Sequence, residues 1–583
     1  VLAPPRAKRA QSSPASEQVF PEPPDERNAG AAPAAPPTDT RSKRQRGSPF
    51  RSLFEPRAKR VPPSPPPFEP LDARDRGTSP SLATTCETPE SAPTKKSKPA
   101  RRSTRFEPLD VLRGLAVLGM ALSGMVPSGT LPPWMYHAQL PPPTGAFNDK
   151  VYGITWVDLV FPFFLFSMGA AIPLSLGGRL DHGQPLWRVA VGLLERGLLI
   201  GAYALIGQHL RPYAMTGSPN PEVWILALAG FVFIGLMLFR WPDRVPAWVR
   251  IPLTAVGWAG ALLIIANWTY PDGTIGFANY RNDVILLVLA NVAVSGGLIW
   301  LFTQRAAKSR WVCFGIVAAI FLTADRPGLG NLIWTWDPTN YFGLRGGPYS
   351  RFLPILYHFE FHKYLLIVIP GTFIGDLLRG HGATRIAPVT TPFGALWAEL
   401  ALAVVGPVSC VVACTGLLAR EVVDTTLTLA AIVVGVWFLI SRFPRVQRGL
   451  PARLFLFGAP LLLVGLLCEP LGGGIRKDEP TFSYFLVTGG LGAILLCSLS
   501  CVWIGLKRNW IWRIVSDTGI NPIMGYLVIT NLTTGLAGIT GLEAMVNAAT
   551  NDPNQLLEWA CVKTLFVAVA TMIFTRLKVF LRA

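Results

Sequence analysis

From residue 106 onward the chain is a succession of apolar runs, each long enough to cross a lipid bilayer. The hydrocarbon core is about 30 Å thick and an α-helix rises about 1.5 Å per residue, so one crossing takes about 20 residues. About fourteen stretches are candidate spans of roughly that length or a little less, from 110–127 and 155–176 through 310–324 and 482–506 to 558–579. Charged residues make up only 15% of the chain, against about a quarter in ordinary soluble domains, which excludes a soluble multidomain protein. The runs are too continuous for the alternating strands of an outer-membrane barrel. The expected fold is all-α, a polytopic transmembrane helical bundle of about 12–14 spans over residues 106–583.

Residues 1–105 are different in kind. They are rich in Pro, Ala, Ser and Arg and show no apolar periodicity, so they cannot bury enough surface to offset the entropy of ordering. They are read as a disordered Pro/Arg-rich cytoplasmic tail, and no apolar stretch in them has the form of a cleavable leader. The net charge of +18 divides about equally between this tail and the remainder. In the remainder the basic residues concentrate in alternate loops: Arg179 with Arg188, Arg240 with Arg244 and Arg250, Arg305 with Lys308 and Arg310, Arg442 with Arg445 and Arg448. Positive charge in short loops marks the cytoplasmic side, so both termini are expected there and the alternate loops outside. This pattern argues for membrane orientation, with the lipid bilayer as partner and no nucleic acid. The eight cysteines show no CxxC or metal-ligand spacing, and six lie inside apolar runs as packing residues.

Few ionisable residues fall within or beside the spans. His137 lies in PPWMYHAQLPPPTG, the first loop on the expected outer side, and Asp158 opens the next span in GITWVDLVFPFF. A carboxylate at a span mouth is costly without a partner. A hairpin between these spans brings Asp158 toward His137, where it would orient the imidazole for proton transfer; the plain alternative is a loop histidine at the headgroups. Asp110 and Arg113, at i and i+3, share a helix face at the other end of the first span, either to seat the helix or to meet a ligand. Arg196 interrupts the third span near its basic end and is either a phosphate contact or a snorkelling side chain. Asn521, in GINPIMGYLVI, offers an amide to a developing oxyanion or caps the following helix. His358, Glu360 and His362 form HxExH, but the i, i+4 pairing of helical zinc sites is missing and the aromatic neighbours suit an interfacial belt, so no metal is expected.

Taken in order, FEPLDVLRGLAVLGM, the histidine-bearing loop and GITWVDLVFPFFLFSMGAAIPLSL resemble the opening of the heparan-alpha-glucosaminide N-acetyltransferase family. The segments HFEFHKYLLIVIPGTFIGDLL and GGGIRKDEPTFSYFLVTGGL look like its bacterial branch, often left as a domain of unknown function. The resemblance implies a transmembrane acyltransferase that takes acetyl groups from cytoplasmic acetyl-CoA and places them on an amino sugar or glycan across the bacterial inner membrane. It assigns catalysis to His137, Asp158 and Asn521. Asp110 and Arg113 match the family's opening Asp and Arg and, with Arg196, are expected on the acetyl-CoA side. A homodimer is left open. The alternative class is a secondary transporter of a sugar or related solute, which the many spans would suit, although no inverted repeat is visible.

Overall fold

The apolar runs fold as helices because nothing else satisfies a backbone in hydrocarbon. The computed structural model describes residues 105–242, 244–336, 359–381 and 393–582. The tail lies outside the described residues except for Arg105. Among the described residues, twelve helices have the length and hydropathy to cross a membrane and no strand is present, so this is a multi-pass helical membrane protein. The principal helices are α1 (Glu107–Ser123), α2 (Trp156–Asp181), α3 (Leu186–His209), α4 (Pro221–Leu238), α5 (Ala247–Asn267), α6 (Val284–Thr303), α7 (Ala307–Leu322), α8 (Leu365–His381), α9 (Phe393–Leu418), α10 (Val422–Ser441), α11 (Leu450–Leu467), α12 (Phe482–Leu506), α13 (Trp510–Ile520), α14 (Pro522–Ile539) and α15 (Pro553–Arg576).

The expected spans at 110–127 and 310–324 are the two shorter helices, α1 with 17 residues and α7 with 16. At about 1.5 Å per residue they measure about 24–26 Å, slightly less than a hydrocarbon core. α1 is packed deep in the bundle, with Val111, Leu112 and Ala121 wholly buried. α7 is anchored by Arg310, whose Nη1 donates to Asp376 Oδ2 of α8 at 2.7 Å. Arg310 is therefore a buried structural cation rather than a free loop charge, which corrects its place in the loop census.

The centre of the bundle is α2 and α12. In their most apolar windows, 72% of α2 and 83% of α12 are buried inside the protein, against 17% of α5, which lies at the periphery. Lipid tails are as apolar as leucine, so helices in a membrane associate through close packing rather than through exclusion of water. Small residues supply that closeness. In α8 the GTFIG step places Gly371 and Gly375 against α2, where an added Cβ would stand 2.6 Å from Phe166 O and 2.4 Å from Ala170 O. Gly169 faces back onto Val368 O with the same lack of room, at 2.4 Å. α1 and α13 cross in the same way through Gly114 and Gly519, whose Cβ positions would lie 1.9 Å from Val515 O and 1.8 Å from Asp110 O.

Both obstacles at the α1–α13 crossing are backbone carbonyls, which cannot rotate aside. Gly519→Ala is expected to force the two helices apart and cost about 1–3 kcal/mol or more. The check is thermal unfolding of the purified protein in lipid nanodiscs, where the variant should melt several degrees lower. An unchanged melting temperature would mean the crossing is looser than described.

Candidate functional site: a histidine, a buried carboxylate and a lysine at one end of the bundle

Asp158 sits in the first turn of α2 and completes a capping box with Thr155. Its Oδ2 accepts from the backbone N–H of Thr155 at 2.9 Å and of Ala138 at 3.2 Å. The Asp158 carbonyl accepts from the Tyr484 hydroxyl of α12 at 2.8 Å. The carboxylate is wholly buried, and its second oxygen, Oδ1, is left for one partner. That partner is His137.

The loop is shaped to deliver the imidazole. Tyr136 folds back so that its hydroxyl donates to Pro127 O at 2.7 Å and accepts from Leu131 N at 2.9 Å. The Thr155 hydroxyl donates to Tyr136 O at 2.6 Å, which ties the residue before His137 to the start of α2. His137 Nδ1–H then donates to Asp158 Oδ1 at 2.8 Å. In the neutral ring this leaves the lone pair on Nε2. The imidazole is 27% exposed while its carboxylate is 0% exposed, so the arrangement is a dry anion behind a reachable base.

A third group completes the cluster. Lys477 Nζ lies 3.0 Å from His137 Nδ1 and 3.3 Å from Nε2. With Nδ1–H given to Asp158, Nε2 is the ring nitrogen that can accept from the Lys477 ammonium. Lys477 reaches this position because the segment between α11 and α12 is strapped to the loop. Gly153 N donates to Ile475 O at 2.7 Å, and Arg476 Nη1 donates to Asp149 O at 2.8 Å. Glu469 braces the same segment, accepting from Ile475 N at 3.1 Å and from Arg420 at 2.8 Å. The turn requires glycine at Gly474, where φ is +142° and a Cβ would meet Tyr152 at 2.4 Å.

The other expected site residues are elsewhere. Arg113 donates to Gly519 O at 3.3 Å and to Ser167 O at 3.1 Å, while Asp110 accepts from Arg105 Nε at 2.6 Å. Ser167 is nine residues beyond Asp158 along α2, about 13.5 Å of helix, so this pair belongs to a deeper level. Arg113 bonds backbone carbonyls of two helices and pairs with Asp110 at 3.7 Å, which fits the seating role. Asn521 is buried at the same level, two residues past Gly519, and its Nδ2 donates to Val579 O at 2.7 Å. It does not join His137, and its side chain makes no capping bond to α14. Its amide instead ties the α13–α14 break to the chain beyond α15. Arg196 stands on α3 in the electrostatic company of Arg179, Arg240 and Glu195, apart from Asp110 and Arg113.

His209 and His362 have local partners. His209 is buried with Nδ1 on Leu205 O at 2.7 Å, Nε2 accepting from Ala278 N at 3.0 Å, and its ring stacked on Phe277. His358 lies outside the described residues; His362 stacks on Phe359, and Lys363 pairs with Glu360 at 2.6 Å. Among the described residues no group of three or more His, Cys, Asp or Glu is placed to hold a metal.

Sequence reasoning missed Lys477, Tyr484 and Thr155. Thr155 had a readable signal, since Thr-x-x-Asp before an apolar run marks a helix start. Removing the hydroxyl in Thr155→Val should loosen both the cap and the loop. The expected loss is about 1 kcal/mol, seen as a lower melting temperature in nanodiscs, with the chain still folded. A variant as stable as wild type would show that the cap does not hold the loop in place.

A family model described as a domain of unknown function (DUF5009) matches residues 105–378, a segment that holds His137 and Asp158 and ends before Lys477. No curated protein matches the chain.

Proposed function

We propose that the protein is a membrane-embedded acetyltransferase that moves an acetyl group from acetyl-CoA on the cytoplasmic side to an amino sugar or glycan on the opposite side of a bacterial inner membrane. The observation that carries this reading is the His137 imidazole, backed by a buried carboxylate on Nδ1 and with the Lys477 ammonium 3.3 Å from Nε2. The resemblance of the His137 loop and the Asp158 helix to the acetyltransferase family supplies the reaction class.

The chemistry follows from the arrangement. The acceptor amine attacks the thioester carbonyl, the new C–N bond forms as the C–S bond breaks, and His137 Nε2 takes the amine proton and returns it to the departing CoA thiolate. The same imidazole is also suited to carrying the acetyl group as acetyl-histidine before discharge to the amine. Asp158 supports either route by holding the ring and stabilising its protonated form. The Lys477 ammonium supplies positive charge where the carbonyl oxygen or the thiolate becomes negative. The arginine-rich loops, with Arg196 beside Arg179 and Arg240, suit the CoA phosphates and set the cytoplasmic face, leaving His137 outside and both termini inside.

The test is transfer of radiolabel from acetyl-CoA to glucosamine by the purified protein. Wild type is expected to form labelled N-acetylglucosamine and His137→Ala to lose about 10²–10⁴-fold in rate while remaining folded. Lys477→Met should keep substrate binding and lower kcat by about tenfold or more. Full activity in His137→Ala removes the proposal. Sugar movement into sealed vesicles without acetylation would establish a transporter instead.

A further inference from the structure

A second polar site lies at the same end of the bundle as His137, and the acetyl-transfer reading makes no use of it. A cavity of about 360 Å³ opens between the end of α1, the end of α3 and the middle of α14, at the lower end of the range for small-molecule pockets. Met125, Gln208, Arg211, Tyr213, Thr530 and Thr534 are on its walls. The α14 wall is not regular helix: Val528–Thr533 forms a π-turn, a distortion that widens a helix and recurs at functional sites. Asn531 fixes that wall by donating to Leu210 O at 2.9 Å.

The electrostatics select the ligand. Arg211 donates to Asp283 and to the Tyr526 hydroxyl, and Tyr526 in turn donates to Asp283. One guanidinium beside one carboxylate leaves the cavity with no surplus charge, which disfavours a phosphate or another anion. What is left over is polar and unpaired: Arg211 Nε, a donor, and Gln208 Oε1, an acceptor, are both buried without a hydrogen-bond partner. Leaving such atoms unpaired costs about 1–3 kcal/mol each, and a ligand that pairs them recovers it. The terminal torsion of Gln208 is soft, so its amide can turn to meet an occupant. A sugar hydroxyl donates and accepts at once, so two neighbouring hydroxyls would answer this donor and acceptor together. Beside the cavity mouth the Tyr213 ring is exposed and stands edge-on to Trp224 at 5.8 Å, an aromatic surface of the kind that receives the C–H face of a sugar ring.

We infer that this cavity is a binding site for a neutral sugar ring, distinct from the His137 cluster and independent of whether acetyl transfer occurs. The two sites share one loop. Tyr136, the neighbour of His137, bonds Pro127 O, and Pro127 is two residues beyond the cavity residue Met125, about 8 Å of chain at most.

The test is binding of maltose, cellobiose and N-acetylglucosamine disaccharide to the full chain in nanodiscs, where no sugar-headed detergent competes, followed by tryptophan fluorescence. At least one disaccharide should bind saturably, and inorganic phosphate should not displace it. Gln208→Leu and Tyr213→Ala should each weaken binding about tenfold, whereas His137→Ala should bind as wild type does. These positions are chosen because replacing Arg211 would strand the buried Asp283 and endanger the fold. Absence of saturable binding by all three sugars up to about 10 mM, binding indifferent to both variants, or displacement by phosphate would each overturn the inference. Loss of binding in His137→Ala would also overturn it, by placing the sugar at the other site.

Discussion

The buried Asp158 carboxylate is the constraint on which the functional end of the molecule rests. An unpaired charge at the mouth of a membrane helix is strongly destabilising, and here both oxygens are met: two backbone N–H groups and the Thr155 hydroxyl on Oδ2, and an imidazole on Oδ1. The same carboxylate therefore begins α2, closes the loop that precedes it, and sets the tautomer of His137. A residue explained wholly as a helix cap would leave Oδ1 free for water. In this chain that oxygen instead holds a partly exposed ring whose second nitrogen lies 3.3 Å from Lys477.

That end of the protein depends in turn on how tightly its centre is packed. α2 is gripped by α8 through glycines that bring backbone against backbone, and it lies against α12, which carries Tyr484. Rigid central helices hold the carboxylate, while loops deliver the histidine and the lysine. This division suits a site that must position a proton acceptor to within a fraction of an ångström yet admit a substrate from outside the bundle.

Much of the fold was legible because the membrane imposes one requirement, about 20 apolar residues per crossing, and the sequence meets it repeatedly. The histidine–aspartate pair was legible for a related reason: a carboxylate at a span mouth demands a partner, and few candidates stood nearby. Lys477 was not, because it is 340 residues from His137 and arrives only when a glycine turn and the Arg476 and Ile475 bonds fold its segment onto the loop. Arg113 and Asn521 show what residue type alone leaves open. A guanidinium suits a ligand and an amide suits an oxyanion, but only the folded structure reveals that the hydrogen bonds described for them run to the backbone carbonyls of Gly519, Ser167 and Val579. Arg310 misled in the same manner, as a cation that is buried against Asp376.

The central claim is that one imidazole serves an acceptor on the side of the membrane away from acetyl-CoA. The most direct measurement seals radiolabelled acetyl-CoA inside proteoliposomes and supplies glucosamine only outside, with the protein oriented by its arginine-rich loops. The account predicts labelled N-acetylglucosamine in the outer solution, formed by the wild-type protein and not by His137→Ala. Label that stays inside as acetyl-CoA, or glucosamine that enters the vesicles unmodified, would contradict it.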